Sequence, residues 1–320
     1  MKYINLPKLK NPISRLIFGT AIDTMICGDK VNGILDAVFD NGINTFDTAR
    51  VYGMSERVLG EWIRSRNIRN KVNIITKGCH HDNDRRRVTP KDLFADVNTS
   101  LSELNIDYID LYLLHRDDET KSVAGIIEAL NELQLRGKIL AFGASNWTHT
   151  RVAEANDYAK NHNLNGFSVS SPCFSAAKRV FDPWGGSVDI SGDENKYACE
   201  WYIENNMPVI AYSSLARGFL SGKFKADCGK SFKNVFVENA PLEYDCPENI
   251  ELLKRLEIVA DNRGITVAQT SLTWMMSHRM NICAVLSPSS TEHIKSDAVA
   301  VDMQLTDEEF AYIANGTALN

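Results

Sequence analysis

The chain of 320 residues has no C-x-x-C pair, and its seven cysteines (Cys27, Cys79, Cys173, Cys199, Cys228, Cys246 and Cys283) are odd in number and scattered. That argues against a disulfide framework or a cysteine zinc site and fits a reducing cytoplasm, with no metal expected. A basic surplus is also missing: the net charge is −6, so no nucleic-acid partner is expected. No apolar run approaches the ~20 residues that span a bilayer, so no membrane partner is expected either. The N-terminus, "MKYINLPKLKNPISRL", has no apolar h-region of a secretory signal. No G-x-G-x-x-G follows the first apolar run, where "FGTAIDTMICG" stands, which argues against a doubly wound open sheet. "GASNW" is not G-x-S-x-G, so no serine-nucleophile motif is present.

What is present reads as a globular α/β protein. Hydrophobic residues make up 44% and charged residues 24%, which leaves ample material for a core. Short apolar runs recur at 15–20, 43–46, 72–77, 108–115, 139–145, 166–171, 208–214 and 282–287. Each is continuous rather than alternating, as in strands buried on both faces. Helical patterns lie between them. "VNGILDAVFDNG" places Val31, Ile34, Leu35 and Val38 on one face. "TPKDLFADVNTSLSELN" opens with Thr89 as N-cap and Pro90 at the first helical position. Another pattern ends at Gly137, and a third runs from Pro247 to Gly264. Thr306 and Glu309 stand at capping-box spacing. Eight strands alternating with helices predict a closed (β/α)8 TIM barrel, with residues 1–320 as a single domain. The longest irregular segments, 174–195 and 216–246, follow late strands, where a barrel carries mouth loops.

In a barrel the strand ends share one mouth. Read in order, they supply Gly19 and Thr20, Asp47, Lys77, His115, Ser145 and Asn146, Ser171, Tyr212 and Ser213, and Ser287. Asp47, Lys77 and His115 are ionisable residues ending apolar strands, where an unpaired charge is costly. They therefore predict a mutual network, joined by Tyr52 from "FDTARVYGMSERVLG". Such a set has a clear chemistry. A phenol with a free pKa near ~10 needs its anion stabilised to act as an acid at neutral pH. A nearby Lys⁺ supplies that, an Asp⁻ holds the Lys, and a neutral His orients a carbonyl.

"FDTARVYGMSERVLGEWI", "VNIITK", "YIDLYLLH", "AFGASNW" and "VIAYSSLARGFLSGK" together resemble the aldo-keto reductase superfamily, in order and over nearly the whole chain. The resemblance implies a barrel that binds a nicotinamide nucleotide without a Rossmann motif. It also implies reversible hydride transfer between that cofactor and an aldehyde or ketone. By resemblance, Tyr52 is the general acid, Lys77 lowers its pKa, Asp47 anchors Lys77 and His115 positions the carbonyl. Ser145 and Asn146 would bond the carboxamide and Tyr212 stack on the nicotinamide. Ser213, Leu215 and Arg217 would follow the pyrophosphate, and Gly19 and Thr20 complete the cofactor set.

The chain departs from the family pattern at Ser214, where a Pro is frequent and the change is expected to be harmless, and in two places that bear on the cofactor. Ser171 stands where a Gln is usual, which weakens one carboxamide contact. In "AVLSPSSTEHIKSDA", Ser287, Ser289, His293 and Asp297 occupy the adenosine end, and the Lys and Arg that commonly grip a 2′-phosphate are missing. NADP(H) is the family default, with NAD(H) or dual use open. Asp297 would repel a phosphate or accept from ribose hydroxyls, and Ser289, Ser290 and the following helix start could hold one.

Other polar stretches have plainer readings. "GCHHD" (78–82) reads as a polar loop and "DRRRV" (84–88) as a solvated face that could bring one Arg near a substrate. Cys79 and Cys173 near the mouth carry some expectation of redox sensitivity. Trp147 and Trp184 fall in mouth-side segments, and Trp184 is expected to line the substrate pocket. The acidic stretches "DISGDENKY" and "VENAPLEYDCPENIE" argue against an anionic substrate, whereas aromatic and polar loops suit a sugar or polyol. Two alternatives to an enzyme stand beside this reading: a redox-sensing cofactor-binding module docked on a partner protein, and a scaffold. A scaffold would be expected to have lost at least one of the four catalytic types.

Overall fold

A computed structural model describes residues 1–227 and 240–319. Cys228, and residues 228–239 of the mouth segment 216–246, lie outside the described residues.

A hairpin comes first, with β1 (Tyr3–Ile4) antiparallel to β2 (Ile13–Ser14). Eight parallel strands follow: β3 (Leu16–Gly19), β4 (Thr45–Asp47), β5 (Asn73–Gly78), β6 (Ile109–Leu114), β7 (Ile139–Ser145), β8 (Ser170–Ser171), β9 (Val209–Ala211) and β10 (Ile282–Leu286). They close into a barrel in sequence order, with β10 pairing both β9 and β3. The expected (β/α)8 barrel is the observed fold.

The continuous apolar runs have a direct physical reason. In β6, Leu111 and Leu113 join the barrel interior with Ile17, Ile75, Ala141, Val169, Ile210 and Cys283. Their neighbours Tyr112 and Leu114 face outward into the larger cluster between sheet and helices. Alternate residues thus meet two different apolar layers, so no polar face is left. Ile4, Leu6 and Ile13 of the hairpin segment belong to the interior cluster and close the N-terminal end of the barrel.

Helix signals in the sequence held where caps were strong. Thr89 accepts a bond from the Asp92 amide at 3.2 Å, and Pro90 opens the helix Pro90–Leu104. Thr306 and Glu309 form a reciprocal capping box on Asp307–Asn315. Gly264 ends Pro247–Arg263 with φ 63°, a left-handed turn that glycine adopts without strain. The predicted strand at 166–171 shrinks to Ser170–Ser171, although the Ser168 amide still donates to the Phe142 carbonyl of β7 at 2.9 Å, in the same register.

Several strands end in a left-handed residue that swings the chain away from the barrel. Cys79 follows β5 with φ 59°, Asn146 follows β7 with φ 59°, and Ser213 follows β9 with φ 56°. For non-glycine residues this geometry is strained, and such strain gathers at functional rims.

Candidate active site

The loop after β4 sets Tyr52. The Tyr52 amide donates to the Ala49 carbonyl at 3.0 Å, and the Ser55 amide donates to the Tyr52 carbonyl at 2.9 Å. Glu56, fully buried, accepts from the Thr76 hydroxyl at 2.7 Å and pairs with Arg50, which ties the loop to β5. Gly53 is required here. Its φ is 53°, and an added Cβ would lie 2.6 Å from the Ile26 carbonyl oxygen.

Lys77 Nζ donates to Asp47 Oδ2 at 2.6 Å and to the Thr48 carbonyl at 3.1 Å, all in buried surroundings. The same Nζ lies 5.3 Å from the centre of the Tyr52 ring. The rings of Tyr52 and His115 meet edge to face at 5.8 Å. Residues 47, 52, 77 and 115 are therefore brought together.

The electrostatics follow from burial. Burial works to discharge Lys77, but Asp47 and Tyr52 outweigh it and raise its pKa, so the ammonium stays charged. Burial also pushes the Tyr52 phenol above its ordinary value, and Lys77 pulls against that shift without reversing it. The lowering pull that the resemblance assigns to Lys77 is therefore present, and desolvation is the larger effect. The His115 imidazole is held well below its usual range, first by burial and then by the Lys77 charge, so it is neutral. Its Nδ1 is enclosed without a partner.

These groups line a cavity of about 800 Å³ at the C-terminal end of the barrel. The cavity wall also contains Gly19, Ser145, Asn146, Trp184, Tyr212 and Ser213, and beyond them Leu215, Arg217, Ser287, Ser289, His293 and Asp297. Thr20 and Ser171 are buried outside the wall. Thr20 Oγ1 has no partner, and the Ser171 carbonyl accepts from the Ser145 hydroxyl at 2.8 Å. Asn146 is heavily engaged. Its amide nitrogen donates to the His115 carbonyl at 3.1 Å, and its oxygen accepts from the Tyr212 hydroxyl at 2.7 Å and the Val188 amide at 3.1 Å.

Over the far side, the Tyr212 and Trp184 rings lie 6.3 Å apart, and the Arg217 guanidinium sits 5.2 Å from the Trp184 ring centre. Arg217 pairs with Glu243 at 3.0 Å, and burial raises the Glu243 carboxyl to about 7. Ser287 donates to the Gly19 carbonyl at 2.8 Å. Ser290 is spent as the N-cap of Thr291–Ala300, accepting from the His293 amide at 3.2 Å. Burial raises the Asp297 carboxyl to about 6.

Some expectations are corrected. Cys79 and Cys173 are fully buried, and burial pushes both thiols far up, so neither has the thiolate character that redox sensing needs. Trp147 is core: its indole donates to the Arg116 carbonyl at 3.1 Å. The arginines of "DRRRV" stay out of the cavity and are held by carboxylates, Arg85 by Asp92, Arg86 by Asp118 and Arg87 by Asp96. Sequence reading missed Arg116 and undervalued His80, both of which line the cavity. The available signal for Arg116 was its position: it directly follows His115 at the end of β6.

A nicotinamide nucleotide fits these residues. The cavity lining runs from Asn146 past Tyr212 to Ser289 and to His293 in the first turn of the helix Thr291–Ala300. At Gly19 an added Cβ would collide with Ser287 Oγ at 2.8 Å and Val285 Cγ1 at 2.9 Å, so glycine lets this part of the wall pack. Carboxamide recognition by Asn146 requires one of its internal bonds to open.

Known proteins bear out the resemblance. The norsolorinic acid reductase B of Aspergillus parasiticus is 30% identical over 296 residues, covering 88% of this chain and 73% of that protein. A probable voltage-gated potassium channel subunit beta of Arabidopsis thaliana is 27% identical over 318 residues, 95% of this chain and 92% of that protein. The structure of glycerol dehydrogenase AKR11B4 from Gluconobacter oxydans superposes with a TM-score of 0.76 at 22% identity, covering 99% and 97% of the two chains, a likeness of fold. The sequence profile of the Aldo/keto reductase family, a family of oxidoreductases, matches residues 15–316, so this chain belongs to the Aldo/keto reductase family.

Proposed function

We propose that the protein is an NAD(P)H-dependent reductase of an aldehyde or ketone, or the reverse alcohol dehydrogenase, with Tyr52 as general acid. The carrying observation is the convergence of a phenol, a buried ammonium and a neutral imidazole on one cavity. Lys77 Nζ is 5.3 Å from the Tyr52 ring centre and 2.6 Å from Asp47. When bound, the cofactor supplies hydride to the carbonyl carbon.

Each side chain then has a defined task. His115, neutral, donates an N–H to the carbonyl oxygen and orients it. Tyr52 gives its proton to that oxygen as negative charge develops there, and the resulting phenolate faces the Lys77 ammonium. Asp47 keeps Lys77 charged and in place. In the reverse direction Tyr52 takes the proton back. Ser145, Asn146 and Tyr212 would hold the nicotinamide end, with Ser213, Leu215 and Arg217 along the pyrophosphate. Ser287, Ser289, His293 and Asp297 would meet the adenosine end. Gly19, Thr20 and Ser171 would support the wall behind, and Trp184 would cover the substrate. NADP(H) is the family default. The carboxylate of Asp297, with no Lys or Arg among the residues of 287–297 that line the cavity, supports use of NAD(H) as well.

Residues 1–320 would act as one domain on a small carbonyl or alcohol substrate, with a sugar or polyol suggested by the mixed aromatic and polar wall. The six described cysteines are free thiols, which supports a reducing compartment, the cytoplasm. The potassium-channel relative covers most of this chain and favours one second reading, a cofactor-binding module docked on a partner with little turnover. One assay separates the two. NADPH oxidation with an activated aldehyde is followed for wild type and Tyr52→Phe, and a loss on the order of 10²–10⁴ in kcat is expected for the variant. Equal turnover in both would remove Tyr52 from its role. Cofactor binding without turnover in the wild type would favour the module.

A further inference from the structure

Among the described residues, the cations near the mouth have carboxylate partners, except for the exposed Lys223 on the outer rim and one residue in the inner wall. Lys77 has Asp47, and Arg217 has Glu243. The three consecutive arginines 85–87 each have an aspartate. Arg116 has none. It lines the cavity, is only 8% exposed, and its Nε and Nη1 are enclosed without any acceptor. The two aspartates that follow it in sequence point elsewhere: Asp117 pairs with Arg151 at 3.2 Å, and Asp118 with Arg86 at 3.5 Å. The backbone is fixed, since the Arg116 carbonyl accepts from the buried Trp147 indole.

The position of this charge matters. It acts on Tyr52, His115 and His80, all of which line the same cavity. His80 and His115 meet edge to face at 4.8 Å, and burial lowers the pKa of each, so neither adds a competing charge at neutral pH. A guanidinium buried without a counterion or acceptors is unfavourable unless something supplies both. The acidic loops do not, because none of their described carboxylates lines the cavity. The expectation that they disfavour an anionic substrate therefore loses its basis.

We propose that Arg116 is an anion subsite beside the reacting centre, and that the substrate is a carbonyl compound bearing a single carboxylate, or the matching hydroxy acid in the oxidising direction. One unpaired guanidinium balances one negative charge and offers a planar fork that a carboxylate can fill. A phosphate ester would bring up to two charges against this one. The substrate assignment rests on the reductase reading above, so its test measures binding, which can succeed or fail apart from turnover.

The full chain, alone and with NADP(H) added, is titrated by calorimetry with benzoate, benzamide and inorganic phosphate. Benzoate is expected to bind on the order of tenfold more tightly than benzamide. Arg116→Gln should bring that ratio close to one, and Arg116→Lys, which keeps the charge without the fork, should restore part of it. Equal affinity for benzoate and benzamide in the wild type overturns the proposal with no variant needed. A benzoate preference that survives in Arg116→Gln overturns Arg116 as its seat. Phosphate binding tighter than benzoate overturns the carboxylate assignment. If discrimination holds while the Tyr52 assay shows no turnover, the reductase reading falls and the anion subsite stands.

Discussion

The side of the mouth built on β4, β5 and β6 carries Asp47, Lys77 and His115 at strand ends, all buried, with Asp47 and Lys77 joined by a short bond. The opposite side carries Arg217 and Trp184 on loops and Asp297 within the helix Thr291–Ala300, with Trp184 42% exposed. On the first side the backbone holds each group: Asp47 pairs in register with Gly19 and Ile75, Lys77 with Leu113, and the His115 amide donates to the Gly78 carbonyl at 2.8 Å. On the second, position depends on side-chain contacts such as Arg217 with Glu243 and Ser290 with the His293 amide. Proton transfer tolerates little displacement, so a rigid sheet suits it. Recognition of one nucleotide or substrate over another gains from segments that can change without disturbing the barrel.

The sharpest way to break this contrast is Asp47→Asn. It strands the Lys77 charge in a buried site and should cost about 3–5 kcal/mol of stability. Denaturant unfolding measures it, and combining the change with Lys77→Met should recover part of the loss. A cost under about 1 kcal/mol, the level expected of an exposed ion pair, would place the two sides of the mouth on an equal footing.

Gly53→Ala comes next. The left-handed φ and the close approach to Ile26 predict a loss of about 1–3 kcal/mol, with kcat falling because Tyr52 moves. A variant of normal stability and normal kcat would show that Tyr52 does not need this loop conformation.

On the other side the effects should appear in selectivity. Asp297→Asn removes a like charge near the proposed 2′-phosphate position and should raise the NADPH-to-NADH affinity ratio on the order of tenfold, with little change in melting midpoint beyond the relief of a buried acid. The pH dependence has a defined sign. The Asp297 carboxyl titrates near pH 6, so the wild-type ratio should rise as pH falls through 6 and the carboxylate gains its proton. The variant should lack that rise, and cofactor fluorescence titrations at pH 5 and pH 8 would reveal either result. The mildest change expected is for Trp184→Ala, a few-fold rise in KM with kcat nearly intact, because its ring is half open to solvent and covers rather than positions. An unchanged KM for every carbonyl tried would take Trp184 out of the pocket.

Much of this arrangement could be read from the residues alone, for identifiable reasons. Lys77 and His115 stand out because an ionisable group ending a wholly apolar strand has few structural excuses. Thr89 with Pro90, and Thr306 with Glu309, announce their helices because caps act over three or four residues of sequence. Other features had no such local signal. Strands β1 and β2 are two residues each, too short for any period to show. The helix Val267–Ser277 is buried nearly all round, so its pattern is not amphipathic. The burial of Cys79 and Cys173 depends on packing between distant segments. Arg116 was passed over because a charged residue beside His115 reads as surface until the partners of its neighbours are known.

The hairpin that closes the lower end of the barrel has a kinetic corollary. With that end shut and the interior filled by side chains, anything that occupies the cavity must come and go by the opposite rim, so bulk added at that rim should slow arrival and departure alike.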